Sequence, residues 1–123
     1  MPSKTLLTLS VFLSSAIAAQ AEITEIAGLF YPSIDEGRFT WSCQEQDVGM
    51  EGGALKISTT EYHGVENRCS VNDPSPAGTG YDITLECMSE GMPYQERIHV
   101  EPTETGVEIT NEYGVIQWTR CSN

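Results

Sequence analysis

From Tyr81 to Cys87 the chain alternates without a break. Tyr81, Ile83, Leu85 and Cys87 are apolar, and Asp82, Thr84 and Glu86 between them are polar. A period of two over this stretch predicts a half-buried β-strand with the four apolar side chains on its inner face. The same period recurs elsewhere. Phe39, Trp41 and Cys43 share a face of 38–43; Leu55, Ile57 and Thr59 alternate; Cys69 and Val71 share a face of 66–71. Tyr94, Glu96, Ile98 and Val100 share another, Val107 and Ile109 follow, and a last strand is expected over 115–121 with Trp118 in it. Turn signals separate these runs: the glycine-rich stretch 47–53, the Asp73-Pro74-Ser75-Pro76-Ala77-Gly78-Thr79-Gly80 loop, Ser89-Glu90-Gly91, Thr105-Gly106 and Asn111-Glu112-Tyr113-Gly114. Residues 22–37, with Ile23, Ile26, Leu29, Phe30 and Tyr31 ahead of Pro32 and an Asp35-Glu36-Gly37 turn, predict a short helix or an edge strand. About seven strands, and no helical periodicity beyond residue 37, predict an all-β domain built as a small antiparallel barrel or sandwich.

The first residues break this pattern. Lys4 precedes an apolar run from Leu6 to about Ala19, and Ala19-Gln20-Ala21 is a small-x-small site. That order predicts a secretory signal peptide over residues 1–21, with cleavage after Ala21, or after Ala18 or Ala19. The run is too short and too rich in Ser, Thr and Ala for a span of about 20 apolar residues. The first cysteine, Cys43, is far from the cut, so no lipid anchor is expected there. One domain remains, 22–123. A chain of this size buries only about 60–70% of its unfolded surface, so covalent ties would help it.

Export makes disulfides the expected state of Cys43, Cys69, Cys87 and Cys121. A zinc site would call for close pairs such as C-x2-C, and none is present. Cys87, on the inner face of its strand, is therefore expected to be a half-cystine rather than a nucleophile or a metal ligand. Of the three pairings, Cys43–Cys69 with Cys87–Cys121 ties segments that look like nearby strands and is the one favoured.

The formal charge is −12. With the leader and its single Lys4 set aside, five basic residues face 18 acidic ones, a balance of −13. Nucleic acid and anionic membrane surfaces are excluded as expected partners, since both require a basic face. The acids are dispersed rather than gathered in a tail. They serve solubility alone, or they steer a cationic exported protein to the surface.

Candidate chemistry is sparse. His63 is expected in a turn and His99 on a solvated strand face with Gln95 and Arg97; no G-x-S-x-G accompanies them. Glu86 and Glu90 flank the turn after Cys87 and could form a carboxylate pair of the hydrolase type, but 18 acids make some pair inevitable. Asp73 and Asp82 flank a glycine-rich loop without the spacing of a calcium loop. No phosphate-binding glycine motif occurs, and no cofactor or metal is expected. Tyr62 and Tyr113, both near turns, are the aromatic candidates for a binding surface, with Glu86 and Glu90 beside them in the chain's acidic complement. Trp41 and Trp118 are expected in the core.

This layout resembles small exported four-cysteine proteins of unknown function from Gram-negative bacteria: a leader, an acidic all-β domain, Cys87 followed by Ser-Glu-Gly, and an end near Cys121. A narrower comparison is with periplasmic lysozyme inhibitors, small β-barrels whose Ser-Gly-x-x-Tyr loop enters the lysozyme cleft. The nearest stretch here, Ala77-Gly78-Thr79-Gly80-Tyr81, lacks the serine, and its tyrosine begins a strand. The expectation is a non-enzymatic binding protein with a cationic protein as partner. A small-ligand carrier and a carboxylate-based hydrolase are the alternatives.

Overall fold

In the computed structural model, which describes residues 23–34 and 40–122, the alternation of 81–87 is realised in full: Tyr81, Ile83, Leu85 and Cys87 are buried, Asp82 and Glu86 exposed. They belong to one of eight strands. These are β1 (Gly28–Pro32), β2 (Leu55–Ile57), β3 (Glu61–Gly64), β4 (Asn67–Ala77), β5 (Gly80–Ser89), β6 (Met92–Pro102), β7 (Gly106–Asn111) and β8 (Gly114–Arg120), with a 3-10 turn at Thr24–Ile26. Each strand pairs antiparallel with the next, and β8 pairs with β1, so the sheet closes into an up-and-down barrel. The expected barrel is present, with eight strands instead of seven. The expected leader, the expected turn at Asp35-Glu36-Gly37 and Phe39 lie outside the described residues.

The inward rows are continuous across the strands. Ile57, Tyr62, Cys69, Cys87 and Tyr94 are successive register partners from β2 to β6, and Tyr81, Val100, Ile109 and Ile116 from β5 to β8. Strand tilt carries each row from the packed interior toward one end of the barrel. Ile57 and Tyr81 are buried, whereas Tyr94 and Ile116 emerge into solvent. Phe30, Leu85, Val100 and Val107 fill the middle. The outward positions Lys56, Arg68, Glu86, Arg97, His99, Glu108 and Gln117 are polar, the reverse of a lipid-facing barrel, whose outer band is apolar.

The connections alternate between the two ends. At one, Ile23 and Ile26 of the N-terminal 3-10 turn are buried as a plug, and Arg120 donates to the carbonyls of Ala27 and Glu25. At the other lie the β3–β4, β5–β6 and β7–β8 hairpins, called the mouth below. The β5–β6 hairpin pairs Ser89 with Met92 and has positive φ at Glu90 and Gly91 (51° and 80°), the backbone of a type I′ turn that matches strand twist.

Four expectations are corrected. The pairing is Cys43–Cys121 and Cys69–Cys87, not Cys43–Cys69 with Cys87–Cys121. Cys69 and Cys87 are direct cross-strand partners, and the segment carrying Cys43 runs to the chain's end instead. Residues 40–43 form no strand; Ser42 makes only an isolated bridge to Gly53. The strand β3, read as a turn around His63, takes the missing place. Finally, the Pro-rich stretch 73–77 is strand rather than loop. β3 ends opposite Ser70, so beyond Val71 β4 has a partner on one side only, and Pro74 and Pro76 sit where no second ladder requires an N–H. A bulge between Asn72 and Ser75 accommodates them. Two disulfides suit an oxidising, exported compartment.

Candidate functional site at the barrel mouth

Exposed large apolar side chains are not scattered over this barrel. Val65 lies in the β3–β4 turn, Met88, Met92 and Tyr94 flank the β5–β6 turn, and Tyr113, Val115 and Ile116 belong to the β7–β8 hairpin. Ile34, 77% exposed, follows Ser33, whose amide is bound to Gln117 O beside the same hairpin. Among the described residues, Met50, in the 40–53 segment, is the one exposed large apolar side chain outside these turns and their flanks. Single exposed apolar residues are ordinary, but a ring of them at one end of a barrel is a binding-surface signature.

Local chemistry holds the ring up. Asn111 Oδ1 accepts the backbone amides of Tyr113 (2.8 Å) and Gly114 (3.1 Å), an Asx turn that projects Tyr113 from the tip, 86% exposed. Glu112, hydrogen-bonded to the Tyr113 hydroxyl, raises its pKa and keeps the phenol neutral. Below the rim, Asn111 Nδ2 donates to Glu96 Oε1 (3.2 Å). Glu96 is the register partner of fully buried Leu85, so it occupies an inward position near the mouth. Tyr62 packs against the core, and burial, with the Glu96 carboxylate adding to it, pushes its pKa well above the phenol range.

Three of the four residues singled out from the sequence, Tyr62, Tyr113 and Glu90, are placed at this end, Glu90 at the tip of the β5–β6 turn. Glu86 is not: it points out from β5 and accepts from Gln95 Nε2 (2.6 Å). Glu86 and Glu90 therefore share no pocket. Sequence reasoning passed over Tyr94 and the two tryptophans. Trp41 and Trp118, expected in the core, are half-buried and line one cavity with Tyr62. Every second hairpin of an up-and-down barrel opens at the same end, and that alternation is the signal that could have grouped these residues.

The outer wall carries a second cluster. His99 is clamped between Asp82 Oδ1 and Glu101 Oε1, each 2.8 Å from a ring nitrogen, and Thr79 donates to Glu101. Asp73, Arg97 and Thr110 line the same groove. With both nitrogens engaged the imidazole has no free lone pair for base catalysis; the clamp ties the β4–β5 turn to β6. Hydrogen bonds accepted by Glu101 and Asp82 raise the His99 pKa above its ordinary 6.5, and those donated by Thr79 and His99 lower the Glu101 pKa below 4.5. His99 thus stabilises the fold fully below pH 6.5 and loses that contribution as pH rises through its raised pKa. Glu101 contributes above pH 4.5 and loses it as pH falls. Thermal melting is expected to be most resistant between these values, and His99→Gln to remove the decline on the alkaline side. A variant that keeps the parent's alkaline decline would show that the clamp is not its source.

Comparison with protein-family models, curated proteins and solved structures returns no match for this chain.

Proposed function

We propose that the protein is a periplasmic or secreted, non-enzymatic binding domain whose mouth docks a cationic protein. The observation that carries this reading is the ring of exposed apolar side chains gathered at the mouth of a barrel with a formal balance of −13 outside its leader. Apolar anchors supply buried area and Tyr supplies a rigid amphipathic contact, while Glu66, Glu90 and Glu112 in the three mouth turns provide a field that speeds approach of a basic partner. The carboxylate-hydrolase alternative gains nothing from Glu86 and Glu90, which are apart, or from Glu101, which is held ionised.

The test uses the isolated domain against a basic lysozyme and against an acidic protein of similar size. Binding of the basic protein is expected to weaken with salt and to fall about tenfold or more in a Tyr113→Ser/Met92→Ser variant. A Glu108→Gln change on the outer wall leaves it largely intact. Binding that ignores both salt and the rim substitutions would sink the reading.

A further inference from the structure

Trp41, Leu55, Tyr62 and Trp118, with Val65 and Asn67 at the rim, line a cavity of about 280 Å³ beside the β3–β4 turn. Three aromatic side chains reach it from separate parts of the chain: Trp41 from the 40–53 segment, Tyr62 from β3 and Trp118 from β8. Tyr62 and Trp118 pack against the core yet remain half-buried, so part of each faces the cavity. Leu55 closes the floor. Among the described residues, no lysine, arginine or histidine lines it. Its volume lies just below the range of about 300–1,000 Å³ typical of ligand sites, which suits a side chain or a small head group rather than a larger molecule.

We propose that this cavity is an aromatic receptor for an alkylammonium group, supplied by a lysine of the docking partner. The proposal rests on the reading of the mouth as the binding face and names the chemistry at its centre. A cation within about 6 Å of aromatic faces is attracted by their quadrupoles, most strongly by tryptophan, and the attraction grows when water is excluded. Two of the three walls are tryptophans, which are the chain's full complement. The Glu96 carboxylate is close enough to act on Tyr62, and the acidic surface around the mouth favours a positive guest over a neutral one. The lysine stem would lie along Leu55 and Val65, its ammonium among the rings, with the Asn67 side-chain carbonyl as a hydrogen-bond acceptor.

Because both tryptophans line the cavity, their fluorescence reports its occupancy directly. The whole domain is titrated at constant ionic strength with Nα-acetyl-lysine amide and with choline, and in parallel with the neutral counterparts Nα-acetyl-norleucine amide and 3,3-dimethylbutanol. The expected result is a saturable change with the lysine derivative, at least tenfold weaker or absent with the neutral compounds, and weakened about tenfold by Tyr62→Leu. Choline binding well ahead of the lysine derivative would overturn the lysine assignment and point to a free quaternary ammonium guest. Equal responses to charged and neutral compounds, or no saturable response, would overturn the cation receptor altogether. Trp41→Leu, in a surface segment, is the second variant should Tyr62→Leu fail to fold, which circular dichroism decides. A basic partner that is lost on rim substitution yet held unchanged by Tyr62→Leu would remove the cavity proposal and leave the rim reading standing.

Discussion

Replacing Cys43 and Cys121 together by alanine is expected to lower the unfolding free energy by about 4–5 kcal/mol. The bridge spans 78 residues, and a loop of that length restricts the unfolded chain by roughly this amount in the chain-entropy account. For a domain of about 100 residues the corresponding fall in melting temperature is on the order of 15 °C or more. The bridge also pins the 40–53 segment to the barrel, where Lys56 pairs with Glu45 and Gly49 lies against His63. Cys69–Cys87, 18 positions apart in sequence, is worth about 3 kcal/mol on the same basis, and it joins strands already hydrogen-bonded to each other. Both double variants melt in one circular-dichroism series. A Cys43/Cys121 variant melting within about 2 °C of the parent would mean that the long bridge adds nothing the ladders do not already provide.

Phe30→Ala is expected to cost about 3–5 kcal/mol, the usual range for removing a fully buried phenylalanine. Its position makes the loss more than a cavity. β1 is joined to β2 and to β8 by three register pairs each, and Phe30 takes part in both, opposite Leu55 and Arg120. The Arg120 guanidinium sits 4.8 Å from the ring centroid while its nitrogens bind the Ala27 and Glu25 carbonyls, so the ring also holds the arginine that fastens the plug. Hydrogen exchange distinguishes a local opening from a general weakening. The Cys121 amide, bound to Leu29 O, is expected to gain more in exchange rate than amides of β5. Equal acceleration in both places would show that β1 is not a seam of its own.

The long central strands were legible in the sequence because their inner and outer faces differ so sharply: Tyr81, Ile83, Leu85 and Cys87 against Asp82 and Glu86. The hairpins at Glu90-Gly91 and Asn111–Gly114 were legible for an equally local reason, since glycine and asparagine chemistry decides tight turns. What failed was whatever depended on distant neighbours. Pro74 and Pro76 look like loop residues until it is known that β3 stops short of them and leaves that edge of β4 unpaired. β3 contributes Tyr62 inward and His63 outward over four residues, too few for a period to register. The cysteine pairing turns on a cross-strand register and on the β1–β2 connection meeting the residue after β8, neither of which spacing encodes. The tryptophans read as core because they are large and apolar, yet Trp118 sits on β8 at the edge of the packed interior and Trp41 reaches it from a segment that forms no strand.

The closure of the barrel also has a consequence in time. Seven of its eight strand pairings join neighbours in sequence and can form before the last strand is in place; the eighth joins β1 to β8. The Cys43–Cys121 bridge and the Arg120 contacts to Ala27 and Glu25 obey the same order. The first strand therefore keeps one edge unpaired until β8 is in place. During that interval Phe30 lacks its Arg120 partner, and Cys43 has only Cys69 and Cys87 for company. A shuffled disulfide at this stage would be a product of the order in which segments meet rather than of relative stability.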